Sequence, residues 1–266
     1  MSILVDIALG RRLERTEAHS NAAFVEARAA LEPSVGAAWS DIGGTYAMFD
    51  GAGSPLTQTF GLGMFSEADA AQLEELEAFF AKREAPVLHE VSPLADASHL
   101  VLLAERGYRP IELTSVMFRA IGEVEQEGGA ISVRPISVNE AEAWAETSAA
   151  GWAEAPELAD FLRGLGRISA RAKATHAFVA EREGRAIGTG AMHLHEGVAL
   201  LAGASTVPVE RGQGGQRALL AARLRFARAA GCDLAMMCAV PGSASQRNAE
   251  RQGFRIAYTR IKWGRA

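Results

Sequence analysis

Apolar and polar positions follow two periods along this chain, one typical of amphipathic helices and one typical of short strands. In the first half, helical spacing predicts helices over 11–31, 67–82 and 95–106. Short apolar runs predict strands over 86–91 and 111–118. The first half therefore ends in the order helix, strand, helix, strand.

The second half repeats that order with a longer series of strands before it. Asn139 is an expected N-cap for the first helix of this half, and the turn 182–185 joins two strands. The predicted helices cover 140–149, 216–230 and 243–252, and the predicted strands cover 131–135, 177–181, 186–192, 198–207, 233–240 and 255–263. The pattern indicates a mixed α/β fold.

The two halves also share sequence. A shift of 146 residues places Arg106-Gly107-Tyr108-Arg109 over Gln252-Gly253-Phe254-Arg255. The segment 122–129 between the halves is acidic and bounded by glycines, which is typical of an exposed linker. We therefore predict a duplicated chain with one domain over 1–121 and a second over 130–266.

Composition narrows the range of partners. The formal net charge is -5, whereas nucleic-acid-binding proteins usually present a basic face, so no nucleic-acid partner is expected. The start of the chain lacks a basic leader, and no apolar run is long enough to span a membrane. We expect a soluble, cytoplasmic protein with no membrane partner, in which Cys232 and Cys238 are reduced.

A glycine-rich turn marks the candidate chemistry. Arg211-Gly212-Gln213-Gly214-Gly215-Gln216 stands between the predicted strand 198–207 and the helix that begins near Arg217. A strand, a glycine turn and a helix N-terminus together present backbone N–H groups to an anion. The turn lacks the Gly-Lys-Ser/Thr ending of a nucleotide-hydrolase loop, and Arg217 stands where a dinucleotide fingerprint needs its third glycine.

These residues resemble motif A of the GCN5-related N-acetyltransferases, the GNAT family. Arg-x-x-Gly follows Val207-Pro208, and a downstream helix closes in Gly253-Phe254, as in the family's next motif. The resemblance implies two tandem GNAT-like domains, each a mixed, mostly antiparallel sheet flanked by helices, with acetyl-CoA as cosubstrate. It implies that the cofactor is held by Ser205, Thr206, Val207, Arg211, Gly212, Gln213, Gly214, Gly215, Gln216, Arg217 and Asn248.

The resemblance also implies a reaction, transfer of an acetyl group to an amine by direct attack on the thioester. A backbone amide near Thr206 and Val207 is expected to stabilise the charge on the carbonyl oxygen. Ala249 stands where the family often has a tyrosine that protonates the leaving thiolate. Tyr258 or Ser245 is therefore the candidate acid. An acyl-CoA-binding module without catalysis is the alternative function, and Ala249 favours it.

Candidate bases lie near the end of a predicted strand. His193, His195 and Glu196 could each take a proton from an ammonium group. His193 and His195 share one strand face, but no third ligand stands at a useful spacing, so no metal is expected. The acceptor is expected to be a small-molecule amine or a peptide N-terminus.

The first half lacks the features of a phosphate site. The same shift places the glycine turn over 65–70, which contains no glycine and includes Glu67 and Asp69. Like charge at a helix N-terminus would repel a phosphate. We interpret Ser66 as the N-cap of the next helix, with Asp69 at its third position, and expect no coenzyme A to bind this half.

Overall fold

The computed structural model describes residues 3–123 and 129–265. Most of the predicted linker 122–129 lies outside the described residues. The helices are α1 Ile7–Leu31, α2 Ala70–Ala81, α3 Ser98–Glu105, α4 Ala141–Ala150, α5 Ala159–Ser169, α6 Gly215–Ala229 and α7 Ala244–Arg251. The strands are β1 Ala38–Ile42, β2 Thr45–Phe49, β3 Gln58–Phe60, β4 Leu88–Val91, β5 Arg109–Ala120, β6 Ile131–Pro135, β7 Thr175–Arg182, β8 Arg185–His195, β9 Val198–Thr206, β10 Leu234–Ala239 and β11 Arg255–Gly264.

The chain packs into two compact units. The first contains 1–119 and 236–266, and the second contains 120–235. In the first unit the strands lie in the order β1-β2-β3-β4-β11-β5, with β3 and β4 parallel and the other neighbouring pairs antiparallel. In the second unit β6, β7, β8 and β9 form an antiparallel meander. Both units therefore confirm a mixed, mostly antiparallel α/β architecture.

The predicted repeat agrees with the element bounds. A shift of 146 residues carries α3 Ser98–Glu105 onto α7 Ala244–Arg251 and the start of β5 onto the start of β11. Gly107 and Gly253, paired by that shift, both follow a helix and both have φ of +80°. Only glycine adopts such a left-handed conformation readily, which explains why both copies have it.

The two units differ from the predicted domains in one segment, 236–266. The segment 236–266 belongs to the first unit because β11 pairs with both β4 and β5 of that unit. The sequence-based division into 1–121 and 130–266 describes the repeat rather than the packing, and it stays a prediction.

Helix α1 begins earlier than predicted and is not solvated along its whole charged face. Asp6 is its N-cap, accepting a hydrogen bond from Leu9 N at 2.8 Å. Glu14 is only 1% exposed, and its carboxylate pairs with the buried Arg260 of β11 at 3.2 Å. A charged side chain within the predicted helix is therefore buried rather than solvated at Glu14.

Two predicted N-caps are also wrong. Asp69 caps α2, accepting from Gln72 N at 2.7 Å, while the Ser66 hydroxyl donates to Gly43 O at 2.6 Å. Before α4, Ser137 and Glu140 form the capping box instead of Asn139. In each case several side chains able to cap stand close together, and the path of the incoming chain decides which one does so.

The core of each unit lies between its helices and its sheet. In the first unit Leu62, Leu73, Leu76 and Phe80 are fully buried in one cluster. In the second unit Trp144 packs on β7 and β8, and its indole N–H donates to Phe178 O at 2.8 Å. Within the described residues, no helix combines the length and apolarity that crossing a bilayer requires.

Candidate functional site

The glycine turn connects β9 to α6 in the second unit. Gly212 has φ of +73°, and Gly214, the N-cap of α6, has φ of +89°. A Cβ atom at either position would meet nothing within 4 Å, so the backbone there can be approached closely. The turn thus has left-handed glycines and an open backbone at both positions.

The first turn of α6 has no side-chain cap. Gly214 makes no capping hydrogen bond, and Gly215, Gln216 and Arg217 are the first three helical residues. The N–H groups of Gly215 and Gln216 have no acceptor within the helix, and they lie at the positive end of its dipole. In the other repeat, by contrast, the Asp69 carboxylate occupies the N-terminus of α2. The α6 terminus is therefore the one suited to an external anion.

The strand leading into the turn is tied to the helix by Gln216. Its side-chain amide donates to Ser205 O at 2.8 Å and to Thr206 Oγ1 at 2.7 Å. Val207 N donates to Ile187 O at 3.0 Å, so this amide is already used within the sheet. The expectation that it stabilises a developing oxyanion is therefore wrong for Val207. Because bonding directions alternate along an antiparallel strand, Thr206 N faces away from β8.

Arg211 contacts protein groups rather than projecting from the turn. Its guanidinium donates to Gly151 O at 2.7 Å and to a carboxylate oxygen of Glu154 at 2.9 Å. A weaker contact joins its Nε to Thr206 O at 3.4 Å. The side chain thus fastens the segment after α4 to the end of β9. Sequence reasoning missed this role because Glu154 lies far from Arg211 along the chain.

A second arginine supports the turn from β7. Arg182 pairs with Glu210 at 2.5 Å and also donates to the side chain of Gln213. Gln213 in turn donates to Val209 O at 3.0 Å. The side chain of Gln213 therefore braces the turn, which leaves its backbone as the part available to a ligand.

The candidate bases lie at the far end of the β8–β9 hairpin. Gly188 pairs with Thr206 beside the turn, whereas His193 pairs with Leu200. His193 lies five positions along the strand from Gly188, a span of about 17 Å. His193 is buried, with Nδ1 3.3 Å from Thr175 Oγ1, and Glu196 is exposed in the hairpin turn. Neither is brought to the glycine turn.

The other predicted site residues belong to the first unit. Ser245 and Asn248 are exposed on α7, and Asn248 Oδ1 accepts from Arg251 at 2.9 Å. Tyr258 is buried on β11 and donates to Glu14 Oε1 at 2.8 Å. Burial, reinforced by that carboxylate, raises the pKa of Tyr258 well above its usual value.

The described residues offer little for a metal ion. No three His, Cys, Asp or Glu side chains within that part of the chain are arranged to hold one. Neither Cys232 nor Cys238 forms a disulfide within the described residues.

Comparison with known proteins identifies the segment that contains this turn. Residues 138–254 match the family described as the Acetyltransferase (GNAT) family. This segment is similar in sequence to the GNAT family. The match includes β9, the glycine turn, α6 and α7. No curated protein sequence matches the chain significantly.

Solved structures extend the GNAT likeness over most of the chain. A GCN5-related N-acetyltransferase from Kribbella flavida has a TM-score of 0.63 and 19% identity, over 91% of this chain and 95% of its own. One from Sphaerobacter thermophilus has a TM-score of 0.53 and 16% identity, over 78% and 71%. A tandem GNAT protein from the clavulanic acid biosynthesis pathway has a TM-score of 0.59 and 12% identity, over 83% and 77%. These likenesses confirm the predicted fold.

Within the GNAT segment, Gly151 lies against the strand end that precedes the turn. A Cβ on Gly151 would stand 1.7 Å from Ser205 Oγ and 3.0 Å from Thr206 N. The Ser205 hydroxyl donates to Ser148 O at 2.7 Å across this contact. Only glycine at 151 lets the end of α4 pack here while leaving the Thr206 amide approachable.

We expect Gly151→Ala to displace Ser205 and crowd Thr206. Overpacking of this kind costs about 1–3 kcal/mol of unfolding free energy, measurable by urea denaturation. Gly164→Ala on α5 is the matched control, because a Cβ there would meet nothing within 4 Å. In a helix interior that change stabilises by about 0.5–1 kcal/mol. Equal effects at the two positions would contradict the packing described for Gly151.

Proposed function

We propose that this protein is an acyltransferase that moves an acetyl group from acetyl-CoA to an amine. The observation that carries the proposal is the uncapped N-terminus of α6, preceded by the left-handed Gly214 and lying inside the GNAT segment. A phosphate at that position would satisfy N–H groups that the helix leaves without acceptors.

The proposed cofactor site uses backbone more than side chains. The amides from Gly212 through Arg217 would hold the pyrophosphate, because their surroundings leave room for it. The end of β9 would pair with the pantetheine arm. There Ala202, Gly203 and Ala204 are exposed and carry small side chains or none, so the strand backbone is accessible. The backbone of Arg211 completes the proposed set in this unit, and Asn248, which lies in the first unit, stays a prediction.

The proposed reaction needs few groups of the protein. The amine nitrogen bonds to the acetyl carbon, the carbon–sulfur bond breaks, and the proton lost by the amine balances the thiolate. Correct placement of the two reactants lowers such a barrier by on the order of 7 kcal/mol or more. An acid or base adds about 100 to 10,000-fold. Tyr258, Ser245, His193 and Glu196 stay predictions for these roles.

We further propose that the first repeat does not bind coenzyme A. The Asp69 carboxylate caps α2, at the place that corresponds to Gly215. A second phosphate site would have to displace this carboxylate from Gln72 N, to which it bonds at 2.7 Å.

Two measurements test the proposed function. Calorimetry with acetyl-CoA should show saturable binding with about one site per chain, because only one repeat has the glycine turn. Incubation of the protein with acetyl-CoA and a panel of small amines and short peptides should release thiol in proportion to acceptor. Saturable binding without thiol release across the panel would favour the non-catalytic module, for which the replacement of the usual acid by Ala249 is the supporting observation.

A further inference from the structure

A buried arginine on α6 makes contacts that the proposed site does not yet explain. Arg223 is 2% exposed, and its guanidinium donates to Leu219 O at 3.2 Å, Ala191 O at 3.0 Å and Ala202 O at 3.3 Å. No carboxylate in the described part of the chain is paired with it. Burial lowers the pKa of Arg223 to about 10, so it is still charged at neutral pH. Burying a cation that is held only by carbonyls costs free energy, so its position needs a structural explanation.

The reason lies in an irregularity of β9. Thr189 pairs with Ser205, but Ala191 pairs with Ala202, so two residues of β9 stand opposite Gly190 alone. This is a β-bulge at Gly203 and Ala204, and Gly203 has φ of +58°. Such a bulge interrupts the hydrogen-bond ladder and re-aims the strand. Carbonyl oxygens beside it lose the regular partners they would have in an unbroken ladder.

Arg223 bonds to one carbonyl on each of the two strands, at the residue pair next to this bulge. Ala191 O belongs to β8 and Ala202 O to β9, and one nitrogen of the guanidinium bonds to both. Gly190 makes room for the group, because a Cβ there would stand 2.9 Å from Arg223 Cζ. The arginine, the facing glycine and the bulge thus form one arrangement, in which each part requires the others.

We propose that Arg223 is a positioning residue that fixes the bulge of β9, and through it the strand backbone on which the pantetheine arm and the thioester lie. The inference rests on the proposed function. It assigns α6 two tasks, since its first turn faces the pyrophosphate and Arg223, two turns later, holds the strand for the other end of the cofactor. The guanidinium acts through the backbone and does not touch the reacting atoms.

Two probes separate this role from general support of the fold. ADP has the pyrophosphate without the pantetheine arm, and coenzyme A has both. Arg223→Met keeps the side-chain length and removes the charge. We expect it to raise the Kd for coenzyme A about tenfold, because a displaced β9 would lose one to two hydrogen bonds to the pantetheine arm. The Kd for ADP should change less than about twofold. Arg223→Lys should recover part of the affinity, since an ammonium can still donate to a carbonyl.

The controls come from the same helix and the facing strand. Arg228→Met on the exposed side of α6 should leave both Kd values unchanged. Gly190→Ala displaces the guanidinium while keeping its charge, and should reproduce the loss of coenzyme A affinity even if Arg223→Met fails to fold. Equal weakening of ADP and coenzyme A, or no weakening by either variant, would overturn the inference. Failure of the wild-type chain to bind coenzyme A would instead overturn the proposed function.

Discussion

Gly214→Glu should abolish coenzyme A binding while leaving the protein folded. The change places a carboxylate at the N-terminus of α6. There it would repel the pyrophosphate and accept hydrogen bonds from the N–H groups that would otherwise bind the pyrophosphate. Loss of two charged hydrogen bonds, each worth about 1.5 kcal/mol or more, corresponds to a Kd at least 100-fold higher. Isothermal titration with coenzyme A measures this directly, and the thiol-release rate should fall with it.

The matched control is Gly231→Glu, at the other end of the same helix. Gly231 also has a left-handed φ, +86°, and open space where its Cβ would be. Both changes therefore bear the same backbone penalty of about 1–2 kcal/mol, measurable as a lower melting temperature. Only Gly214→Glu should lose binding. Retained affinity in that variant would show that the pyrophosphate lies elsewhere.

Local sequence patterns predicted the elements that form the repeat. The apolar runs 111–118 and 255–263 located β5 and β11, and the repeat shared by the two halves placed α3 and α7 before them. The short strands β1, β2 and β3 were not predicted. β2 is buried along its whole length and β3 has only three residues, so neither shows a clear alternation. Helix α5 was also missed, where glycines at 164 and 166 weaken the helical signal.

The candidate site was predictable only where it is made of backbone. Gly212 and Gly214 could be identified because left-handed turns select glycine, and the structure gives both the expected conformation. The contacts of Arg211 with Glu154, and of Arg223 with Ala191 and Ala202, join residues that the fold alone brings together. No period or motif records such pairs. The position of a charged residue in a helical sequence pattern therefore does not show whether its side chain is solvated.

Glu14 is another charged residue whose burial the sequence pattern does not reveal. Of these residues, it belongs to the cluster with the largest expected effect on stability. It belongs to an ionic cluster of the first unit, centred on Arg260, whose guanidinium is 1% exposed. Arg260 pairs with Glu14 at 3.2 Å, with Glu17 at 2.8 Å and with Glu90 at 3.0 Å. Burial raises the pKa of Glu14, and Arg260 opposes that shift by favouring the ionised form. One buried cation thus pairs with three carboxylates of this unit.

We expect Arg260→Met to be strongly destabilising for this reason. Removing one partner of a buried ion pair costs about 3–5 kcal/mol, which is on the order of 10 °C in melting temperature for a chain of this size. Thermal unfolding followed by circular dichroism measures the change. Arg255→Met on an exposed position of the same strand is the control, and it should shift the midpoint by less than about 2 °C, because surface changes are usually small.

The pH dependence distinguishes an electrostatic cause from simple loss of packing. A carboxyl group whose pKa is raised by folding binds its proton more tightly in the native state, so stability falls as pH rises from its unfolded value through its folded value. Without Arg260 the pKa of Glu14 should rise further. The deficit of Arg260→Met should therefore be larger at pH 8 than at pH 5. Adding Glu14→Gln should recover part of it, because glutamine keeps an acceptor for Tyr258 and carries no charge. A deficit that is equal at both pH values and unaffected by Glu14→Gln would mean that Arg260 acts through its volume alone.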